Sequence, residues 1–254
     1  MSWETFDDEP QGALRDAPPD VLSPIDENAP VSGHQPAPAG DATAAGAPEH
    51  DWTSAADHVY PVLRPAGTHG TKLAEVDEAA LAQEGLKKHA LPLIDPGPAD
   101  LAIAYVLREP AYDVLVNADH LLAWGVGTDQ LRDTAMANLA AWSTRAPWTD
   151  ELSGERRLLS SDTGEGSDAA RILLEDVRQH LAGECGPGRV LVALPDRDLL
   201  IAGSLGPGDP EFATQFGAFV ADVADDAHEP IDPGLFELVG ERHDLVRFTP
   251  AADA

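Results

Sequence analysis

The clearest hydrophobic pattern in the chain is a repeat of apolar residues every three or four positions, which predicts three helices. The first spans 129–144 and follows Thr128, a residue type that favours the N-cap. The second spans 168–182. The third has Asp209 as its N-cap and Pro210 at its first position, where the missing N–H costs nothing. The apolar positions of these helices are Leu131, Ala135, Leu139 and Trp142; Leu173, Leu174, Val177 and Leu181; and Phe212, Phe216, Phe219, Val220 and Val223.

Shorter apolar runs predict strands. The run LAIAYVL at 101–107 is apolar at every position, which is typical of a strand buried on both faces. The segment 58–65 contains two prolines and is therefore predicted at a sheet edge. The stretch VLVALPDRDLLIAG at 190–203 predicts a hairpin with a four-residue loop, so its Asp-Arg-Asp sequence would lie at an exposed tip. Further strands are predicted at 86–94, 158–161, 235–239 and 245–248.

Helices interspersed with antiparallel hairpins predict an α+β domain over residues 58–250, with about three or more helices packed on a mixed, largely antiparallel sheet. The pattern is absent before this domain. Residues 1–57 contain 12 acidic residues, eight prolines and one basic residue, Arg15, and their apolar residues have no regular period. Such a segment cannot bury enough apolar surface to offset the entropy of ordering it. We therefore predict a disordered, acidic N-terminal tail over 1–57.

Charge narrows the possible partners. The chain carries a formal net charge of −29. The part after residue 57 still has 15 basic and 33 acidic residues. A surface this negative repels phosphate backbones, so direct nucleic-acid binding is not expected. Two interpretations remain open: the acidity serves solubility or a high-salt cytoplasm, or the tail binds a basic protein partner or mimics nucleic acid.

The sequence predicts neither a secretory signal nor a membrane span. The N-terminal sequence MSWETFDDEP has no apolar core of a secretory signal, and no apolar run approaches the roughly 18 residues of a membrane span. Cys185 is the only cysteine, so neither a disulfide framework nor a cysteine-based zinc site is predicted. We expect a cytoplasmic protein without membrane contact.

No segment of the sequence meets the requirements of a catalytic or cofactor-binding motif. Residues 67–72, GTHGTK, lack the adjacent Gly-Lys of a phosphate-binding loop. Residues 202–206, AGSLG, come near a nucleophile elbow, but the first glycine is displaced and no helix follows. No metal site, cofactor or catalytic group is therefore predicted.

Polar residues in costly places are the remaining candidates for a binding site. Asn138 lies on the apolar face of the first helix, where its amide must find hydrogen bonds. It either ties the helix to a neighbouring segment or contacts a ligand at the rim of a pocket. Asp168 is predicted at the start of the second helix, as a cap or a first-turn acid. Asp196 and Asp198 at the hairpin tip could face a cation, although one such pair supplies too few ligands for a metal.

A series of short motifs resembles the YtpQ-like family of bacterial proteins, a domain family of unknown function. The motifs, in order along the chain, are YPVLRP at 60–65, DLAIAYVL at 100–107, WG at 124–125 with AMANL at 135–139, SDAARILL at 167–174 and VALPDRDLLI at 192–201. The resemblance implies the extent of the domain. It implies no activity that could be carried over.

Three hypotheses about function follow. The leading one is a non-enzymatic accessory or binding domain that recruits a protein partner through the acidic tail. The alternatives are a hydrolase-like enzyme with an unrecognised site and an acidic inhibitor or nucleic-acid mimic. A hydrolase would require five polar residues to converge, and the tryptophan of the WG motif completes the candidate binding set: Trp124, Asn138, Asp168, Arg171, Asp196 and Asp198.

Overall fold

The chain folds into α-helices and two β-sheets. The computed structural model describes residues 48–249, except 87–88, 111, 154–155, 187, 207–208 and 210. The α-helices are α1 (Trp52–Ala55), α2 (Glu78–Glu84), α3 (Ala118–Trp124), α4 (Thr128–Ser143), α5 (Glu175–Glu184) and α6 (Glu211–Asp225). The strands are β1 (Val59–Arg64), β2 (Thr71–Lys72), β3 (Leu93–Pro96), β4 (Ala102–Arg108), β5 (Asp113–Leu115), β6 (Thr149–Ser153), β7 (Arg156–Ser161), β8 (Arg189–Asp196), β9 (Leu199–Leu205), β10 (Leu235–Val239) and β11 (Asp244–Arg247).

The strands divide between an N-terminal sheet and a C-terminal sheet. The N-terminal sheet has the order β1-β4-β3-β2, and β5 also pairs with β4. The C-terminal sheet has the order β11-β10-β8-β9-β7-β6. The β2–β3 pair is parallel, and the other pairs described are antiparallel. The α+β class with largely antiparallel pairing is therefore confirmed, but the strands form two sheets where the sequence suggested one.

Strand β4 occupies the centre of the N-terminal sheet, as its continuous apolar run predicts, because β1 lies on one side and β3 and β5 lie on the other. One face of the sheet packs against α4, through Leu63 among other residues. The other face carries a small apolar cluster, formed by Val62, Ala104 and Val106. Arg64 and Arg108 lie at opposite ends of that second face, because each is the last residue of its strand and β1 and β4 are antiparallel.

Helix α4 buries each predicted apolar position, but its N-terminus differs from the expectation. Thr128 is the first helical residue and not the cap, because Gly127 takes the cap position without a side-chain bond. The free N–H of Thr128 donates to Oε1 of Glu78 at 2.8 Å, and its hydroxyl donates to the same atom at 3.2 Å. A carboxylate from α2 therefore replaces the predicted local cap.

The predicted second helix is broken in two. Residues Ala169–Leu173 form a 3₁₀-helix, Leu174 is extended, and α5 begins only at Glu175. The break leaves the carbonyls of Ile172 and Leu173 without helical partners, and Nη1 of Arg178 donates to each at 2.9 Å. The break coincides with tertiary hydrogen bonds of Asp168 and Arg171, which contact Ser161 of β7 and Ser143 of α4.

Helix α6 covers the C-terminal sheet with a narrower stripe than predicted. Phe212, Phe216 and Val220 are buried, whereas Phe219 is 51% exposed. The three buried positions are four residues apart and therefore form one line along the helix. Phe219 lies to the side of that line, so the prediction that it belongs to the core is wrong.

The ordered region extends further towards the N-terminus than predicted. Ala55 of α1 is fully buried. The ring of Trp52 lies 5.4 Å from that of Trp124, and Nε1 of Trp124 donates to the carbonyl of Pro48 at 2.8 Å. Residues 48–57, predicted to belong to the tail, are therefore packed against the domain. The contacts come from Trp52, which meets Trp124 of α3, and from the buried Ala55, and the composition of the segment does not reveal them. The rest of the predicted tail, 1–47, lies outside the described residues.

No helix in the described part of the chain is long and apolar enough to cross a membrane.

Candidate functional site

A cleft of about 720 Å³ lies between the second face of the N-terminal sheet and the tip of the β8–β9 hairpin. The sheet contributes side chains from β1, β4 and β5, and the opposite wall includes the loop at 164–166. Charged side chains dominate the lining: Arg64, Arg108, Glu109, Asp113, Glu165, Arg197, Asp198 and Glu229. A cavity of this volume is within the size range of small-ligand sites.

The hairpin tip is buried in this wall and not exposed as predicted. Strand β8 continues through Pro195 to Asp196, with a register shift after Ala193, so the turn consists of two residues, Arg197 and Asp198. Arg197 is only 8% exposed. The proline that suggested a four-residue turn instead lies within the irregular end of the strand.

Arg197 is the centre of the cleft wall. Its Nε donates to the carbonyl of Gly166 at 2.9 Å, Nη1 donates to Glu229 at 3.2 Å, and Nη2 donates to Asp113. Burial by itself would lower the pKa of Arg197, but the two carboxylates raise it above its usual value. Gly166 has a φ of 75°, and a Cβ there would lie 2.5 Å from Nη2 of Arg197. Only glycine allows the backbone to approach the guanidinium this closely.

Two further arginines extend these contacts into a ladder of alternating charge. Nη1 of Arg64 lies 2.8 Å from Oε2 of Glu229. Nε of Arg108 lies 3.9 Å from Asp113, and its Nη2 donates to the Ser167 hydroxyl at 2.9 Å. Burial lowers the pKa of Arg108, and Asp113 partly opposes that effect. The order of charges, Arg64–Glu229–Arg197–Asp113–Arg108, is called the arginine ladder below.

The two predicted aspartates of the hairpin have different roles. Asp196 accepts hydrogen bonds from the backbone N–H groups of Asp198, at 2.9 Å, and Glu229, at 3.1 Å, so it fixes the turn. Asp198 lines the cleft and, within the described part of the chain, its carboxylate accepts one hydrogen bond, from the N–H of Gly166. Burial is the main reason that the pKa of Asp198 is raised above its usual value.

Asp168 and Arg171 form a buried network beneath the loop at 164–166. Asp168 is fully buried and accepts from the hydroxyls of Ser161 and of Thr163, the latter at 2.7 Å. Ser161 in turn accepts from Nη1 of Arg171 at 2.7 Å, so a hydroxyl bridges the two opposite charges. The guanidinium also lies 3.9 Å from the centre of the Trp148 ring. Burial lowers the pKa of Arg171 to about 10.

These contacts explain the break in the predicted second helix. Asp168 has helical backbone angles but makes no side-chain cap bond. Its carboxylate and the Arg171 guanidinium are directed instead to residues of β7 and to the end of α4, where Nε of Arg171 donates to the Ser143 hydroxyl at 3.1 Å. The 3₁₀ conformation therefore accompanies a tertiary network.

The last two candidates lie outside the cleft. Trp124 is buried against Trp52 in the core beside the N-terminal sheet. Asn138 donates from Nδ2 to the carbonyls of Ala56, at 2.7 Å, and Val59, at 2.9 Å. It thus takes the first of its two predicted roles, that of tying the helix to a neighbouring segment. Of the six candidates, only Asp198 lines the cleft.

The contacts of Asn138 predict a large effect for the isosteric change Asn138→Asp. A carboxylate would face two carbonyl oxygens, so it would lose both hydrogen bonds and gain repulsion. We expect the free energy of unfolding in urea to fall by about 2 to 4 kcal/mol at pH 7. Ala137→Asp places the same charge at an exposed position of the same helix and is the control. Equal losses in both variants would contradict the assigned role of Asn138.

The charge balance of the cleft is negative. Its lining has five carboxylates and three guanidinium groups, a formal excess of two negative charges. The ladder already occupies Asp113 and Glu229, and Glu165 accepts from Nε1 of Trp142 at 2.7 Å. Asp198 has no guanidinium within 4 Å among the described residues. Glu109 places a fully buried Oε1 in the wall, without a hydrogen-bond donor in the described part of the chain.

None of the five ladder residues was among the candidates predicted from the sequence. Arg64 and Arg108 each end an apolar strand, and Arg197 lies between two aspartates in a turn. These positions carry a weak signal, because charged residues at strand ends are usually exposed. The close spacing of two glycines, Gly164 and Gly166, was the other signal in the sequence that pointed to an unusual loop. In the structure both glycines have positive φ.

The described residues contain no group of three or more His, Cys, Asp or Glu side chains that could hold a metal ion. The chain has no significant match among family models, curated proteins or solved structures. The resemblance to the YtpQ-like family therefore stays a prediction.

Proposed function

We propose that this protein is a binding domain whose cleft receives a positively charged group, such as a lysine or arginine side chain of a protein partner. The observation that carries the proposal is that two carboxylates lining the cleft, Asp198 and Glu109, have no guanidinium partner among the residues that the structure describes. A partly buried carboxylate pays a desolvation cost that an incoming cation would offset. An ammonium or guanidinium group forms charge-assisted hydrogen bonds with such a carboxylate.

An anionic ligand is the less favourable alternative. Arg197 already donates from all three of its nitrogens to protein acceptors. The lining has excess negative charge, and the whole chain carries −29. The field of the protein would therefore attract cationic partners and repel anionic ones. Composition also suggested a basic protein partner, but it assigned that partner to the acidic tail, whereas we assign it to the cleft.

The hydrolase alternative loses its main support. It required Asn138, Asp168, Arg171, Asp196 and Asp198 to converge on one site. Their contacts instead divide them between a helix tie, a buried network, a turn and the cleft. The single cysteine, Cys185, is buried, and burial raises its pKa to about 11, which disfavours a thiolate nucleophile.

The test uses four small probes of equal chain length: n-butylammonium, n-butylguanidinium, n-butanol and butyrate. Amide chemical shifts of Gly166 and Asp198 are followed by NMR during titration of the full chain. We expect the two cations to shift these amides and the neutral and anionic probes to leave them unchanged. Butyrate binding as strongly as the cations would contradict the proposal.

Asp198→Asn is the variant with the sharpest expected result. The amide can still accept from the N–H of Gly166, but the charge is removed, so we expect cation affinity to fall about tenfold or more.

The same variant should also change stability. The pKa of Asp198 is raised, so the folded state takes up a proton at a higher pH than the unfolded state. The charged form therefore destabilises the fold at neutral pH, and the variant should unfold at a higher temperature than the parent protein. Lowering the pH through the raised pKa protonates Asp198, so the stability difference between the variant and the parent protein should shrink, and cation binding by the parent protein should weaken.

The matched control is Glu241→Gln, which removes one exposed carboxylate outside the cleft and changes the net charge equally. It should leave both the amide shifts and their pH dependence as in the parent protein. A loss of affinity equal to that of Asp198→Asn would mean that overall charge, and not the cleft, attracts the probes.

A further inference from the structure

A second surface, distinct from the cleft, lies between strand β6 and helix α6. It is a groove of about 290 Å³ lined by apolar and aromatic side chains. Phe216 and Phe212 form its buried floor, and Phe219 stands at its side with an exposure of 51%. Leu152, 73% exposed, also borders the groove, but it alternates with Glu151 along β6 and its side chain projects from the outer face of the sheet. Exposed apolar residues gathered at one groove are typical of an interaction site.

The groove borders an open sheet edge. Strand β6 is the last strand of the C-terminal sheet and pairs only with β7 among the described strands. The backbone groups on its other side can therefore pair with an added strand, and the groove would receive side chains from that strand. Peptide recognition by strand addition uses this combination of a free edge and an adjacent apolar groove.

The charge of the groove indicates which kind of added strand would pair with β6. Glu151 lies directly opposite Leu158 in the β6–β7 pair, so both side chains project from the same face of the sheet. Leu158 packs with Phe212 beneath α6, which places the Glu151 carboxylate on the groove side. No cation pairs with Glu151 in the described part of the chain, whereas the neighbouring Arg156 is held by Asp209 and Gln215.

A second copy of this chain fits the edge poorly. Antiparallel pairing of two β6 strands about their middle residue would place one Glu151 opposite another, and like charges directly opposite each other are destabilising. A strand with a basic residue opposite Glu151 would pair favourably. We propose that this groove and edge bind an extended segment of a protein partner, with apolar residues on either side of a lysine or arginine on the face turned to α6.

The probe is the peptide Ac-TVTKTVT-NH2, in which the two valines and the lysine share one face of a strand. Two peptides of the same length are compared with it: Ac-TVTETVT-NH2, which reverses the charge, and Ac-TSTKTST-NH2, which removes the apolar side chains. Binding to the full chain is measured by NMR from the amide shifts of β6 and α6. We expect the first peptide to bind at least about tenfold more tightly than either of the others.

Variants separate this surface from the cleft. Phe219→Ala and Glu151→Gln should each reduce the affinity for the first peptide, with circular dichroism and the melting temperature used to verify the fold. Leu91→Ala, at another exposed apolar position, and Asp198→Asn, in the cleft, should leave the affinity unchanged.

The proposal is overturned if the three peptides bind alike, if none binds, or if Leu91→Ala weakens binding as much as Phe219→Ala. It is also overturned if sedimentation shows a dimer of the parent protein that Phe219→Ala abolishes, because the groove would then receive a second copy. The reporting amides belong to β6 and α6, and Asp198→Asn removes a carboxylate from the cleft lining, so the result is distinguishable from binding of the lysine in the cleft.

Discussion

Replacing Arg197 with methionine is expected to lower the free energy of unfolding by about 3 kcal/mol or more. Methionine keeps most of the apolar stem but removes the guanidinium. The change removes one donor each from Asp113, Glu229 and the carbonyl of Gly166 in a partly buried wall. Glu229 keeps its ion pair with Arg64, whereas Asp113 keeps only the longer contact with Arg108. Urea denaturation at pH 7 measures the loss, with native-state amide exchange showing whether the hairpin opens first.

The control is Arg189→Met. Arg189 forms a two-pronged ion pair with Glu237 at 2.6 Å, but its side chain is 44% exposed. Exposed pairs of this kind contribute about 0 to 1 kcal/mol. If both variants lost the same stability, burial of Arg197 would not be the cause. Adding Asp113→Asn to Arg197→Met should recover part of the loss, because it removes the charge of a carboxylate that has lost its hydrogen-bonded guanidinium.

The fold class could be predicted because it depends on local periodicity. The apolar run of β4 and the stripe of α4 are strong signals, and both elements lie where their patterns place them. The helix-period pattern over 168–182 was equally strong but misleading at its start. Its first turn is built around Asp168 and Arg171, whose partners lie on β7 and α4, and no local pattern records those partners.

The division of the strands between two sheets could not be predicted from strand patterns, because pairing partners are remote along the chain. The cleft depends on that division. Arg64 and Glu229 are 165 positions apart, and Arg197 and Asp113 are 84 positions apart. Each residue alone resembles an ordinary surface charge, so the ladder becomes visible only when the two sheets are brought together.

The N-terminal boundary shows a related limit of composition. Residues 48–57 share the acidic, alanine-rich character of the preceding segment. They nevertheless pack, since Trp52 and Ala55 reach the core and Asn138 binds the backbone where this segment joins β1. A few contacts of individual residues determine that this segment packs against the domain, and its average composition does not predict this.

The loop at 164–166 connects the two buried charge systems. Gly166 contacts Arg197 of the ladder and Asp198 of the cleft, and Asp168 lies two residues further on. The network around Asp168 therefore supports one wall of the proposed binding site from beneath. A change in this network should lower stability and weaken cation binding, whereas removal of the Asp198 charge should weaken cation binding but raise stability.

Asp168→Asn is accordingly expected to lower the free energy of unfolding by about 3 to 5 kcal/mol. The amide can accept one hydroxyl, from Ser161 or Thr163, but its NH2 group would face a hydroxyl that now donates. Arg171 would also lose the carboxylate that most opposes the effect of its burial. Urea denaturation measures the loss, and Asp162→Asn, at an exposed position of the same loop, should change stability by less than about 0.5 kcal/mol. Combining Asp168→Asn with Arg171→Met removes both charges, so the double variant should be more stable than the sum of the two single losses predicts. Additive losses would show that the bridged pair through Ser161 does not couple the two charges.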